Sequence, residues 1–230
     1  MPFDRLCHAS ILRSWLLGAI LQPVFVSWIV KEISCRPSFR PIDRRLRRGG
    51  THLLLQGQAF EQLIEQWLES LVPLVPSGSL IVGIRTGGEP LARRLADRLA
   101  REGKGAELGL LDIALYRDDV GLRMKTPRVL GTEITQEIDE RFVVLVDDVF
   151  YTGRTIRAAL SRIADFGRPR KVLLACLARR PGRELPIVPD VVGMDLEAPP
   201  EGFKIEVSMT ERLIRSTAMT ETLALMEDAD

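Results

Sequence analysis

The sequence predicts an α/β protein: a mainly parallel sheet flanked by helices. Three observations lead there. Phe142–Val146 (FVVLV) is a short run, β-branched and apolar on both faces, which suits a central strand of a parallel sheet. It is followed by Asp147-Asp148, by the loop Tyr151-Thr152-Gly153-Arg154-Thr155, and by a helical pattern at Ile156, Ala159, Leu160 and Ile163 that Gly167 would cap. A second unit of strand, Gly loop and helix runs from Leu80 to Leu99.

Length and composition fit one such domain with additional segments: 230 residues, 46% hydrophobic. Cys7, Cys35 and Cys176 share no metal-type spacing, which fits a reducing compartment, the cytoplasm, without a disulfide framework. Residues 1–50 carry 9 Lys/Arg against 3 Asp/Glu, and residues 51–230 carry 23 against 28. The body is therefore not a generally basic nucleic-acid binder, and an RNA contact would need a local patch. Ile11–Val30 has Arg13 as its single charge and is near the length of a membrane span, with basic residues following from Lys31 to Arg48. One reading is a membrane anchor or export signal. A weak n-region, no evident small-residue cleavage site and Pro23 favour instead a dispensable or disordered extension over residues 1–50, with no membrane partner.

The body, 51–210, follows in order. Phe60, Leu63, Ile64, Trp67, Leu68 and Leu71 recur at helical spacing, an amphipathic helix packing on the sheet and ended by Pro73, Pro76 and Gly78. Leu80–Ile84 is a short apolar strand, Arg85-Thr86-Gly87-Gly88 its turn, and Pro90 suits the first turn of the helix carrying Leu91, Leu95 and Leu99. Leu108–Tyr116 reads as a strand, and the charged, Gly- and Pro-interrupted stretch through Ile134 as a lid. Lys171–Leu177 is a further strand. Pro181, Pro186 and Pro189 keep the next stretch out of regular helix. Phe203–Val207 reads as the last strand, and Ser208–Asp230 as a helix or frayed end, with 211–230 as a C-terminal tail.

The chemistry gathers at the two loops. Free N–H groups at a helix start bind phosphate, Gly153 lets the backbone come close, and Thr152 and Thr155 add hydroxyl donors. Two adjacent carboxylates at a buried strand end are costly without a partner, and a diol such as ribose supplies one. No G-x-x-x-x-G-K-[ST] is present, so this is not a Walker A loop. At the second loop Arg85 would meet phosphate charge while Gly87 and Gly88 admit backbone amides. For both loops the bland alternative is an ordinary βα turn with solvated charges.

The string LVDDVFYTGRT resembles the phosphoribosyl pyrophosphate (PRPP) signature of type I phosphoribosyltransferases, most closely that of the PyrR family of pyrimidine operon regulators and uracil phosphoribosyltransferases. GIRTGGEPLARRL resembles the family's pyrophosphate loop, LDIALYRDD the start of its flexible catalytic loop, and RELPIVPDVVG its base-covering hood. The resemblance spans about residues 55–205. It implies a type I phosphoribosyltransferase fold with a small hood around 178–202, and conversion of uracil and PRPP to UMP and pyrophosphate. Asp147 and Asp148 would be the catalytic carboxylates, holding the ribose hydroxyls; with them Tyr151, Thr152, Gly153, Arg154 and Thr155 would bind the ribose phosphate. Arg85, Thr86, Gly87 and Arg117 would meet pyrophosphate, Arg123 and Lys125 are lid candidates, and Arg183 and Val192 hood candidates for the base. Many relatives carry a basic residue where Gly87 stands, so one charge contact would be missing here. Mg²⁺ would arrive with PRPP and need no direct protein ligand set. UMP or UTP would bind the same site, and a homo-oligomer is implied.

Two other functions compete. One is a regulatory module that senses uridine nucleotides and binds an mRNA leader, with Arg168, Arg170, Lys171, Arg179, Arg180 and Arg183 as its basic face. Against it, Glu61 and Glu65 stand in the early helix where RNA-binding members carry basic residues, and affinity for an RNA backbone rests on cations. The other is transfer to hypoxanthine, guanine or orotate; the hood resemblance favours uracil.

Overall fold

The apolar run at the centre of the chain becomes the middle strand of a five-stranded parallel sheet. The computed structural model describes residues 50–113, 131–135 and 137–219. In chain order its elements are β1 (Thr51–Gln56), α1 (Gly57–Leu71), a 3-10 turn (Val72–Leu74), β2 (Ser79–Ile84), α2 (Gly88–Arg101), β3 (Ala106–Leu111), β4 (Phe142–Phe150), α3 (Arg154–Ala164), β5 (Lys171–Arg179), β6 (Val191–Asp195), β7 (Phe203–Ser208) and β8 (Leu213–Ala218). The main sheet has the order β3-β2-β4-β5-β6, and all its pairs are parallel. A second, antiparallel sheet has the order β1-β8-β7.

Strand pleat sorts the core into two layers. Ile81, Val144, Val146, Leu173 and Ala175 share one face with Phe60, Ile64 and Trp67 of α1 and Leu91 and Leu95 of α2. Leu80, Val82, Val143, Leu145, Leu174 and Cys176 share the other with Ile156, Ala159 and Ile163 of α3. Both faces of the central strands are therefore dry, which is why their sequences read as unbroken apolar runs. The six periodic residues of α1 are all buried, each burial worth about 1.5–3 kcal/mol. On the outside, Glu61 lies 2.7 Å from Arg94 and Glu65 2.8 Å from Arg98, so α1 and α2 are laced along their exposed edges. Arg94 holds the Glu61 carboxyl below its ordinary pKa.

Several elements differ from the sequence reading. β4 does not stop at Val146: its pairing with β5 continues to Phe150↔Arg179, so Asp147 and Asp148 lie inside the strand rather than after it. β3 ends at Leu111, and residues 114–116 of the expected strand lie outside the described residues. α3 ends at Ala164, and Gly167 instead takes φ +147° against Asp139. The helix or frayed end expected from Ser208 is a strand over Leu213–Ala218. It is paired on both sides, Thr51↔Thr217 with β1 and Glu206↔Arg215 with β7. Of the stretch read as hood, 191–195 forms β6 at the sheet edge, while Arg180–Asp190 runs beside the 151–155 loop without regular structure. The extension 1–49, the residues from 220 onward and, of the stretch through Ile134 read as a lid, the part from 114 to 130 lie outside the described residues. The described end of that stretch is pinned: Leu110 and Glu133 exchange backbone hydrogen bonds of 2.9 and 2.8 Å, and Gly131 N donates to Asp112 Oδ2 at 3.1 Å.

Candidate active site

Both acidic residues sit where β4 emerges at the carboxyl end of the sheet, the usual ligand edge of open α/β sheets. The pleat turns them to opposite sides. Asp147, only 5% exposed, is in register with Cys176 on the α3 side. Asp148 is half-buried and packs against Gly87 at the start of α2; Oδ1 accepts from Val149 N at 2.7 Å. The two glycines are required by this approach: a Cβ on Gly87 would run into the Asp148 carboxylate, and one on Gly88 into the Val146 carbonyl oxygen. Burial pushes the Cys176 thiol pKa well up, and the negative charges of Asp147 and Asp148 push it further.

Arg85 leaves the end of β2 with its N–H donated to Leu111 O at 2.9 Å. Its guanidinium Nη2 lies 2.6 Å from Glu133 and Nη1 3.9 Å from Glu89. Gly153 takes φ +90°, a left-handed turn that releases the chain into α3. Thr152 Oγ1 accepts from Arg154 N at 3.3 Å, and Thr152 O accepts from Glu184 N and Leu185 N at 3.0 and 3.1 Å. Arg154 Nε donates to Glu184 Oε2 at 2.9 Å. The 184–185 stretch thus braces the loop from outside. Exposed Tyr151 carries the Arg180 guanidinium 3.7 Å above its ring.

Two clefts meet here. One, of about 540 Å³, is lined by Arg85, Thr86, Gly87, Asp147, Asp148 and Thr155, with Glu206–Thr210 and Arg215 opposite. The other, of about 400 Å³, is lined by Tyr151, Thr152, Gly153, Arg154 and Thr155, with Arg180, Lys204, Ile205 and Met219. Asp147, Val149 and Thr155 line both. The structure so brings together the Asp pair and both loops singled out in the sequence. It does not bring Arg183 and Val192 to the same place. Arg183 lines a separate hollow of about 470 Å³, which shares Phe150 and Arg180 with the second cleft; Val192 is half-buried in β6 opposite Cys176. Asp190 braces β5, accepting from Leu174 N at 2.8 Å. Arg117, Arg123 and Lys125 lie outside the described residues. The sequence reading missed the whole opposing wall, Lys204–Thr210, Arg215 and Met219. Its charges have no motif spacing, and only the pairing of β7 with β8 carries them to the site.

A phosphoribosyl transferase domain matches residues 51–212. A curated relative, bifunctional protein PyrR from Akkermansia muciniphila, is 42% identical over 160 residues, which cover 69% of this chain and 89% of the relative. This chain belongs to the PyrR family of phosphoribosyltransferases. The PyrR of Alkaliphilus metalliredigens is 48% identical over 143 residues, 62% of this chain and 78% of that one. Among solved structures, a hypoxanthine phosphoribosyltransferase from Trypanosoma cruzi has a TM-score of 0.57 at 16% identity, covering 80% of this chain and 99% of that one. One from Staphylococcus aureus has a TM-score of 0.55 at 17% identity, covering 74% and 93%. At such identities these structures speak for the fold: a type I phosphoribosyltransferase.

Proposed function

We propose that this PyrR-family chain is a uracil phosphoribosyltransferase, converting uracil and PRPP to UMP and pyrophosphate. The observation that carries the reading is the meeting of the two clefts at Asp147 and Thr155, with a phosphate-type loop on one side and the Arg85 loop on the other. The 152–155 loop holds the 5′-phosphate with backbone N–H groups and the Thr152 and Thr155 hydroxyls. Asp147 and Asp148 accept the ribose hydroxyls and favour the positive charge that develops at C1. N1 of the base bonds to C1 as the C1–O bond to pyrophosphate breaks, and the N1 proton passes to water. Arg85 meets the departing anion, its guanidinium exchanging Glu133 for phosphate oxygen. No side-chain nucleophile is needed; the rate comes from positioning and from charges fixed in advance.

The lining charges of the larger cleft bear on Mg²⁺. Arg85 and Arg215 face Asp147, Asp148 and Glu206, an excess of negative charge before any polyanion enters. Among the described residues no group of three or more His, Cys, Asp or Glu could hold a metal ion. Hard carboxylate oxygens beside a cleft that takes a polyphosphate fit a Mg²⁺ that arrives with PRPP and keeps water and substrate oxygens as its shell, with Asp147 and Asp148 supplying negative charge near it rather than a direct ligand set. When bound, the ion neutralises the leaving pyrophosphate.

Regulation is the second half of the proposal, since the relatives are named bifunctional. UMP or UTP would occupy the same site and set the affinity for a pyrimidine leader RNA. The described charges lend the RNA contact little support. Glu61 and Glu65 are paired with Arg94 and Arg98, Arg179 lies 2.6 Å from Asp195, and Arg180 is stacked on Tyr151. A salt-dependent mobility shift tightened by UMP would support RNA binding, and no shift at low salt would count against it. We place the protein in the cytoplasm as a homo-oligomer, on the family resemblance and the buried free Cys176. Among the described residues no helix is long and apolar enough to cross a membrane. The enzyme reading is tested by incubating the chain with labelled uracil, PRPP and Mg²⁺: label should appear in UMP only when both are present, and no label in UMP would refute it.

A further inference from the structure

The larger cleft has two walls of different origin. One is the carboxyl end of β2 and β4, with Arg85, Thr86, Gly87 and the Asp pair. The other is the β7–β8 hairpin, and Arg215 is the hairpin cation that lines this cleft. Arg215 stands directly opposite Glu206 across the hairpin, with Nε donating to Glu206 Oε2 at 2.9 Å. Its Nη1 lies 3.0 Å from Glu211 on the turn, and Nη2 has no partner among the described residues. Glu206 and Glu211 thus fix the planar guanidinium from two sides, through Nε and Nη1, which leaves Nη2 to donate to a phosphate oxygen.

The position along the site decides which phosphate. Thr152, Gly153 and Arg154 line the smaller cleft, whereas Arg85, Thr86 and Gly87 share the larger one with Arg215. We propose that Arg215 binds the pyrophosphate group of PRPP, so that the small antiparallel sheet supplies part of the substrate site. The inference rests on the phosphoribosyl-transfer reading. It also accounts for an arrangement that strand pairing alone leaves unused, a guanidinium in a cleft whose lining is otherwise short of positive charge. The competing role is purely structural, a cross-strand pair that fixes β7 against β8.

Titration calorimetry with Mg²⁺–pyrophosphate, together with UMP-formation kinetics, separates the two roles on the full chain. Arg215→Gln should weaken pyrophosphate binding and raise the KM for PRPP by about tenfold or more, with the KM for uracil within about twofold. Glu211→Gln removes one of the partners of Arg215 from outside the cleft and should leave both constants within about threefold. Arg215→Lys keeps the charge without the fork and should fall between the wild type and Arg215→Gln. Unchanged binding in Arg215→Gln, or equal weakening in Glu211→Gln with an equal fall in melting temperature, would overturn the inference. Should Arg215→Gln fail to fold, wild-type binding in Arg215→Lys overturns it and weakened binding sustains it. A wild-type chain that neither binds pyrophosphate nor makes UMP would instead refute the underlying enzyme reading.

Discussion

Replacing Asp148 by Asn tests the sugar role with the fold held constant. The Val149 N–H donates to Asp148 Oδ1 at 2.7 Å, and the amide oxygen of Asn can keep that bond. Asp148 is half-buried, so removing its charge adds no desolvation cost. What changes is its hold on the sugar. A hydrogen bond to a charged group contributes about 1.5–3 kcal/mol against about 0.5–1.5 for a neutral one, a loss of about 1 kcal/mol at a ribose hydroxyl. A unit positive charge about 5 Å from a carboxylate, at an effective dielectric of about 20, is stabilised by about 3 kcal/mol. With about half that charge developed at C1, a further loss of about 1.5 kcal/mol follows. The sum, about 2.5 kcal/mol, predicts a fall of about 50- to 100-fold in kcat/KM. Asp147→Asn, at a site only 5% exposed, should cost a similar factor. The assay is the initial rate of UMP formation over a range of PRPP concentrations, with melting curves alongside. A double Asn variant that melts normally and keeps kcat/KM within about threefold of wild type would refute the sugar role.

Other expectations follow from the same structure. Arg85→Ala should raise the KM for PRPP by about tenfold with little change in melting temperature, because its partner Glu133 is largely exposed and can be solvated when left alone. Trp67 is buried with no acceptor for its Nε1–H among the described residues. Trp67→Ala should therefore cost about 3–5 kcal/mol, and Trp67→Phe, which removes the unmatched donor, clearly less, as read by denaturant unfolding. Cys176 stays protonated in the fold above its ordinary pKa of 9.0, while in the unfolded chain the thiol ionises there. Stability should then be full below that pH and decline above it by up to about 1.4 kcal/mol per pH unit, a slope that Cys176→Ala should reduce.

What the sequence could reveal followed from how local each signal is. Phe142–Val146 was legible because a strand buried on both faces writes itself as an unbroken apolar run. The helix from Phe60 to Leu71 was legible because its buried residues keep the helical period. The Asp147-Asp148 pair and the 151–155 loop are contiguous, so their chemistry travels with their order in the chain. β1 and β8 were invisible for the opposite reason. Each is short and partly exposed, and Thr51 pairs with Thr217 across nearly the whole domain, a contact no local window contains. Without β8, Arg215, Ser216 and Thr217 fall in the expected tail, although Ser216 and Thr217 are buried. The end of β4 was misjudged because two carboxylates normally mark a strand's exit, whereas here β5 continues to pair past them. In the sequence Glu61 and Glu65 signal only missing RNA contacts; the structure gives them partners on α2 that lie 33 residues away.

The most direct test of the central claim is a base panel. The chain is offered uracil, hypoxanthine, guanine and orotate separately, each with PRPP and Mg²⁺, and nucleotide formation is followed for each. The account predicts efficient UMP synthesis, with kcat/KM for uracil above the other bases by about a thousandfold or more, since a buried site that matches one donor and acceptor pattern leaves polar groups unpaired with another. Preference for a purine or for orotate would contradict the assignment of uracil, and no nucleotide from any base would contradict phosphoribosyl transfer itself.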